Sequence, residues 1–220
     1  MSHYPRILPV GDAAFTVEFG DRLDEQLNRQ VHTLDAALSA HHFPALVETV
    51  PTYRSLLVMY DPLAADEATV RATLEATVKE LQTQRSTPAG GRLVEIPVQY
   101  GGKWGPDLED VATHCGLTPD QVIRLHTAPT YRVAMLGFAP GFAYLFGLPP
   151  SLETPRLTTP RTRVEPGSVS IASAQTGVYA LPTPGGWRII GRTPMSLFDP
   201  AHDEPFALHA GDRVRFVAIE

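Results

Sequence analysis

Glycine and proline are distributed unevenly along the 220 residues, and this asymmetry restricts the available folds more than any other feature of the chain. Up to Gln84 there are two glycines, Gly11 and Gly20, and five prolines; from Pro88 onward there are fifteen glycines and sixteen prolines. Glycine weakens a helix through backbone entropy, and proline breaks one by lacking an N–H. The second half must therefore be assembled from short pieces between turns, whereas the first half can carry longer helices. The change falls in Thr83-Gln84-Arg85-Ser86-Thr87-Pro88-Ala89-Gly90-Gly91, a polar stretch rich in breakers that reads as a linker. The expected division is one domain over 1–84, a linker over 85–91 and a second domain over 92–220.

Periodicity in the first part is regular. Asp12–Phe19 alternates apolar and polar positions, as a half-buried strand does. Asp21 is then a candidate N-cap, and Leu23, Leu27, Val31, Leu34 and Leu38 recur at the spacing of one helix face. Val47–Val50 and Leu56–Tyr60 are short strand candidates around Pro51-Thr52-Tyr53-Arg54. A second helix follows Asp66, with Val70, Leu74, Val78 and Leu81 on one face and Glu75 placed to pair with Lys79. Strands and two helices in this order predict a small α+β unit with its helices on one sheet face. His32, His41 and His42 read as solvated helix-end residues, since an isolated histidine is weak evidence for catalysis.

The second part predicts a strand at Arg92–Val98, a helix over Pro106–Cys115 stopped by Gly116, and a helix opened by the capping box Thr118-Pro119-Asp120-Gln121. Short strands follow at Tyr131–Leu136, Ser168–Ala172, Val178–Leu181, Trp187–Gly191 and Arg213–Ile219. Even spacing with Gly/Pro punctuation predicts a compact β-barrel or sandwich with two inserted helices.

Charge and cysteine content exclude several functions. A formal net charge of -6 argues against nucleic acid, which needs a basic face. Sixteen of the 18 basic residues are arginine, the exceptions being Lys79 and Lys103, and arginine suits flat bidentate contacts with carboxylate or phosphate. Cys115 is the single cysteine, so no internal disulfide forms, and its place at a helix end reads as a buried, inert thiol. No apolar run reaches the ~20 residues of a membrane span, and no secretory leader pattern opens the sequence, so the expected location is the cytoplasm.

Three segments can carry chemistry. Leu136–Leu145 places Phe138, Phe142 and Tyr144 around Pro140-Gly141 directly after a strand. Such a loop either plugs a barrel end, with Pro140-Gly141 as a type II turn, or walls a pocket. Arg156, Arg161 and Arg163 make a positive spot in an acidic chain, either a solvated loop or an anion site. Gln175, Thr176 and Tyr179 offer an amide and two hydroxyls, Gly185-Gly186 permits close backbone approach, and Arg192 follows. These groups can polarise an amide or hold an anion, yet they supply no nucleophile–base pair. The chain has no GxxxxGK[ST], GxGxxG, HExxH or GxSxG, so no phosphate loop or metal site of its own is expected.

Gly137-Phe138-Ala139-Pro140-Gly141-Phe142-Ala143-Tyr144-Leu145, Pro166-Gly167-Ser168-Val169, Gln175-Thr176-Gly177-Val178-Tyr179, Thr183-Pro184-Gly185-Gly186-Trp187 and Ser196-Leu197-Phe198-Asp199-Pro200 together resemble the family of 5-oxoprolinase B subunits. That family is also known as allophanate hydrolase subunit 1 and includes a KipI-type inhibitor of a histidine kinase. The resemblance extends over nearly the whole chain, with departures at Glu165-Pro166, Ala172-Ser173 and Ala180.

The resemblance implies an α+β chain: a ferredoxin-like N-terminal domain followed by a cyclophilin-like β-barrel domain. It implies a component that works with a homologous C subunit and an A subunit to hydrolyse 5-oxo-L-proline to L-glutamate. ATP, with Mg, would then be bound at the level of the complex and not tightly by this chain alone. On this reading Tyr179, Gln175 and Thr176 are the candidate catalytic groups. Phe138, Pro140, Gly141, Phe142, Tyr144, Arg161, Gly185, Gly186 and Arg192 are the candidate substrate contacts, and no metal site is expected. The same resemblance admits two other functions: inhibition of a sensor histidine kinase, and a part in a urea- or allophanate-metabolising carboxylase-hydrolase system.

Overall fold

A computed structural model describes residues 4–40, 43, 45–83 and 91–220. The chain divides into two compact units, Met1–Ala89 and Gly90–Glu220. Residues 84–90, which include most of the expected linker, and His41 and His42 lie outside the described residues.

The first unit runs β1 (Arg6–Pro9), β2 (Ala14–Glu18), α1 (Glu25–Ala40), β3 (Leu46–Pro51), β4 (Ser55–Tyr60) and α2 (Glu67–Thr83). The four strands form one antiparallel sheet in the order β1-β2-β4-β3. Alternation decides its faces: Phe15, Val17, Leu56, Val58 and Tyr60 point inward against Val31, Leu34 and Leu38 of α1 and Val70, Leu74 and Val78 of α2. Asp66 caps α2 as expected, accepting the N–H of Thr69 at 2.8 Å. Asp21 does not cap α1. Asp24 does, taking the N–H groups of Gln26 and Leu27 at 2.8 and 3.2 Å, which leaves Leu23 outside the helix and 56% exposed. His32 lies within α1, not at its end, and among the described residues the i,i+4 helix ion pairs are Glu25–Arg29 and Glu67–Arg71, not the expected Glu75–Lys79.

The second unit is a barrel. Its elements are β5 (Leu93–Tyr100), α3 (Leu108–Cys115), α4 (Pro119–Thr127), β6 (Tyr131–Leu136), β7 (Ala143–Phe146), β8 (Arg161–Val164), β9 (Ser168–Ala172), β10 (Gln175–Val178), β11 (Thr183–Gly185), β12 (Arg188–Arg192) and β13 (Arg213–Ile219). Seven of them close in the order β10-β7-β6-β13-β5-β12-β9, and β8 and β11 pair separately. β13 runs parallel to β5 over seven residue pairs, which inserts it between β5 and β6. Gly116, at φ 66°, ends α3, and the capping box at Thr118 and Gln121 opens α4. Two segments that read as loop are partly strand: Ala143–Phe146 becomes β7 and Arg161–Val164 becomes β8. The strand expected at Val178–Leu181 lies earlier, at Gln175–Val178, because Gln175 begins a hairpin partner for Ala172.

Alternation along the barrel strands separates two cores. Ile96, Val98, Val133, Leu145, Val169, Ile171, Val178, Ile190, Val214 and Phe216 fill the interior, and α3 and α4 pack onto the same cluster through Val111 and Val122. Phe142, Val164, Ala172, Tyr179, Trp187 and Ile189, with Tyr144 against them, form a second layer on the outer side. At roughly 1.5–3 kcal/mol for each large apolar side chain removed from water, this second layer holds β8 and β11 to the barrel wall. Among the described residues, no helix is long and apolar enough to cross a membrane.

Candidate functional site

The segment after β6 makes the turn expected for Pro140-Gly141. Phe142 N–H donates to the Ala139 carbonyl at 3.1 Å, and Gly141 has φ 75°, the geometry of a type II turn. A Cβ at Gly141 would press on Ala180 and Phe198, so glycine is required for space as well as conformation. Phe138 also has positive φ, 65°, and is 61% exposed. Left-handed backbone costs a non-glycine residue ~1 kcal/mol or more, and such strain concentrates at functional positions. Pro140 at the turn corner is likewise exposed.

Aromatic rings converge behind that turn. Phe142 lies with its centroid 4.7 Å from Tyr144, 4.8 Å from Tyr179 and 5.5 Å from Trp187, each edge to face, and Phe138 reaches Phe142 at 5.6 Å and Tyr179 at 6.4 Å. The Tyr179 phenol accepts the Trp187 backbone N–H, yet burial outweighs that bond and raises its pKa, so it remains protonated. Burial raises the Tyr144 phenol too. Gly185 is tied to this arrangement, since a Cβ there would overlap the Tyr179 hydroxyl. Gly186 is not: a Cβ there would meet Pro160 at an ordinary 3.6 Å.

Arg161 extends from β8 to Asp107, donating to its carboxylate at 2.6 Å. Asp107 occupies the N-cap position of α3 but makes no cap bond; its second oxygen accepts the Ile189 N–H at 2.7 Å. Arg161 is therefore already neutralised and braces β8 against α3 and β12, with one terminal nitrogen, Nη1, buried without a partner. Proximity in sequence to Arg156 and Arg163 gave no sign of this. Arg163 pairs with Glu165, and Arg156 lies over the Trp187 ring.

Thr176 is placed elsewhere. It is fully buried inside the barrel, donating to the Ser170 carbonyl at 2.9 Å and bonding His126 Nε2 at 2.9 Å. Tyr100 Oη lies 2.8 Å from His126 Nδ1. With Thr176 donating to a carbonyl, the chain of bonds runs Tyr100 O–H to Nδ1 and Nε2–H to Thr176 Oγ1. His126 is therefore neutral, and burial pushes its pKa down to about 3. Thr176 is a core hydroxyl with both its bonding directions used inside the protein. Gln175, half-buried, begins β10 opposite Ala172, while Arg192 pairs with Ser168 at the other end of β9. The four-residue offset is ~13 Å along a strand, so Gln175 and Arg192 do not face one ligand.

Arg192 instead opens onto a cavity of about 420 Å³ at the barrel end. The end of β12, Pro166 and Gly167 just before β9, Ala180 beyond β10 and the segment Thr193–Leu197 line it, together with Gln99 and Trp104. Gly141 touches Ala180 and Leu197, so the Phe138 turn is at the same end. Arg192 Nε donates to the Pro166 carbonyl at 2.8 Å and its guanidinium lies 5.4 Å from the centre of the Trp104 ring. Trp104, Asp107, His126 and Trp187 stand outside the set of site residues expected from the sequence. Gly105-Pro106, between Trp104 and Asp107, was the signal available, because it marks a tight turn against β12. Among the described residues, no group of three or more His, Cys, Asp or Glu side chains could hold a metal.

Known proteins are similar to this one along nearly the full chain. The family described as carboxyltransferase domain, subdomain C and D, matches residues 5–208. The 5-oxoprolinase B subunit of Bacillus subtilis (strain 168) is 41% identical over 97% of this chain and 92% of its own length. Its counterpart from Escherichia coli O157:H7 is 48% identical over 79% of this chain and 78% of its own. A solved structure of a conserved uncharacterized protein from Pyrococcus horikoshii shares 48% identity at a TM-score of 0.58, covering 98% of both chains. Other solved chains matching at a TM-score of 0.82 are longer, and this chain covers 40% of one of them. An identity of this size, sustained from the first sheet through the barrel, means that the chain belongs to the family of 5-oxoprolinase B subunits.

Proposed function

We propose that this chain is the B component of an ATP-dependent 5-oxoprolinase that hydrolyses 5-oxo-L-proline to L-glutamate in the cytoplasm, acting on a cyclic amide only together with a C subunit and an A subunit. The observation that carries the reading is the half-equipped barrel end. It offers one guanidinium, an indole, hydroxyls and apolar walls, but no described nucleophile with an adjacent base. A lactam is a stable amide, and opening it requires charge stabilisation on oxygen that this surface does not supply alone.

ATP and Mg do not fit the residues of this chain. There is no glycine-rich phosphate loop in the sequence and no acidic cluster among the described residues to hold the metal. We assign both to the partner subunits. This chain's contribution is then to hold the substrate at the barrel end, with Phe138, Pro140 and Gly141 at the rim and Phe142, Tyr144, Tyr179 and Gly185 forming the layer that supports it, while Gly186 stands outside that layer. Tyr179 acts as a neutral phenol, a donor and not a base. Gln175, at the far end of β9, is read as outside the contact set. We also read the first unit as ferredoxin-like, with β1 filling the edge position of a last strand, and the barrel as cyclophilin-like.

Reconstitution tests this. The purified chain is mixed with 5-oxoprolinase C and A subunits, and glutamate release from 5-oxo-L-proline is measured with ATP and Mg. Activity that requires this chain is the expected result; equal activity when it is omitted overturns the assignment.

A further inference from the structure

We infer that Arg192 is the carboxylate receptor of the barrel-end cavity, with the Trp104 ring beside it and Lys103, outside the lining, adding positive charge nearby. This rests on the reading that the substrate is a small cyclic amide bearing a carboxylate. It departs from the sequence expectation, in which Arg161 and Arg192 were equal candidates.

Three observations carry it. First, the two arginines differ in what they are free to do. Arg161 is committed to the buried Asp107 carboxylate at 2.6 Å. Arg192 gives only Nε to the protein, at the Pro166 carbonyl, and among the described residues it has no carboxylate within ion-pair distance. Its Nη1 and Nη2 remain as a parallel pair of donors, the fork that matches a carboxylate. Glu165 feels Arg192 weakly, but its carboxyl is held below the usual range chiefly by Arg163.

Second, a cation from each side of the chain converges on one indole. Lys103 Nζ lies 4.5 Å and the Arg192 guanidinium 5.4 Å from the Trp104 ring centre. The two charges are therefore at most about 10 Å apart, close to one Debye length at physiological salt. Like charges brought this close repel one another, and an anion between or beside them removes that repulsion.

Third, the cavity carries apolar surface besides its polar groups. Pro166, Ala180, Pro194, Met195 and Leu197 line it together with Gln99, Thr193, Ser196 and Arg192. Bare phosphate gains nothing from the apolar part, whereas a carboxylate attached to a compact ring can bury the ring against it. The volume, about 420 Å³, is in the range of small-molecule sites and exceeds what a five-membered ring needs, which leaves room for groups supplied by a partner.

The test is a titration of the full chain with sodium 5-oxo-L-proline, followed by tryptophan fluorescence and calorimetry, with pyrrolidin-2-one and inorganic phosphate as parallel probes. Trp104→Phe identifies the ring that reports. We expect saturable binding of 5-oxo-L-proline, no saturation with pyrrolidin-2-one, and weakening of at least about tenfold in Arg192→Gln with partial recovery in Arg192→Lys. In the reconstituted complex, Arg192→Gln should raise KM by about tenfold or more with kcat within about twofold. If Arg192→Gln melts early, Trp104→Phe, which leaves the Arg192–Pro166 bond intact, gives the second reading and should weaken binding several-fold. Unchanged affinity and KM in both variants, saturation by pyrrolidin-2-one, or tighter binding of phosphate than of 5-oxo-L-proline would each overturn the proposal. A complex that turns over 5-oxo-L-proline with KM indifferent to Arg192 sinks the receptor and leaves the function standing. Arg192-dependent carboxylate binding without turnover does the reverse.

Discussion

Asp107 and Arg161, separated by 54 residues of sequence, meet at 2.6 Å and join the start of α3 to the two-stranded β8–β11 sheet. The carboxylate is buried and also receives the Ile189 N–H at 2.7 Å, so a single side chain satisfies two groups on two other elements. Asp107→Ala leaves a guanidinium and a backbone N–H without a partner. A loss of about 3 kcal/mol is expected, measured as a fall in Tm or in the urea midpoint. Asp107→Asn should lose less, since one oxygen still accepts from Ile189.

Acid should unfold the barrel through His126. The folded imidazole, pushed down to about 3 by burial, takes up no proton until far below its ordinary value. The unfolded imidazole protonates near pH 6.5. Between these pH values the unfolded chain binds the extra proton, so stability falls as pH falls, by up to about 1.4 kcal/mol for each unit below 6.5. Urea unfolding at pH 7 and pH 5 should show this slope, and His126→Gln should lose it.

Neighbouring glycines should respond differently to the same change. Gly185→Ala places a methyl group against the Tyr179 hydroxyl and disturbs the Phe142–Trp187 layer, for an expected loss of roughly 1–3 kcal/mol. Gly186→Ala meets Pro160 only at van der Waals distance and should be nearly neutral. Thermal melts of the two variants side by side decide it.

Phe138 should matter more for the assembled enzyme than for the stability of the chain. Phe138→Gly relieves the left-handed backbone while giving up exposed ring contacts, so stability should stay within about 1 kcal/mol of the parent. Activity of the reconstituted complex should fall. A variant that melts early but works normally would place Phe138 in the fold and not in the site.

Local chemistry made much of the fold legible. The Thr118 capping box, the Gly116 stop, the Ser168–Ala172 and Arg213–Ile219 strands and the Pro140-Gly141 turn all depend on neighbours within a few residues, and each lies where the sequence placed it. Three similar aspartates were harder to separate: Asp21, Asp24 and Asp66 all precede helices, and only the backbone geometry decides that Asp24 caps α1. The site was less legible for a related reason. Thr176 and Tyr179 are three residues apart on one segment, so strand alternation sends one to the barrel interior and the other to its outer face. Arg161 and Arg192 differ only in whether a distant carboxylate reaches them, and nothing near Asp107 in sequence marks it as the partner of Arg161.

The parallel pairing of β5 with β13 fixes when the barrel can exist during synthesis. Glu95 and Arg215 form an ion pair across that seam, as do Arg92 and Asp212, and each pair is separated by 120 residues. A ribosome therefore has to release β13 before any closed barrel is available, and until then the open edges of β5 and β6 can pair with other chains. Closing a loop of this length first and gaining contacts afterwards makes for slow folding. The emerging second unit is then a natural client for chaperones, while the first unit, whose strands and helices are neighbours in sequence, can already have folded.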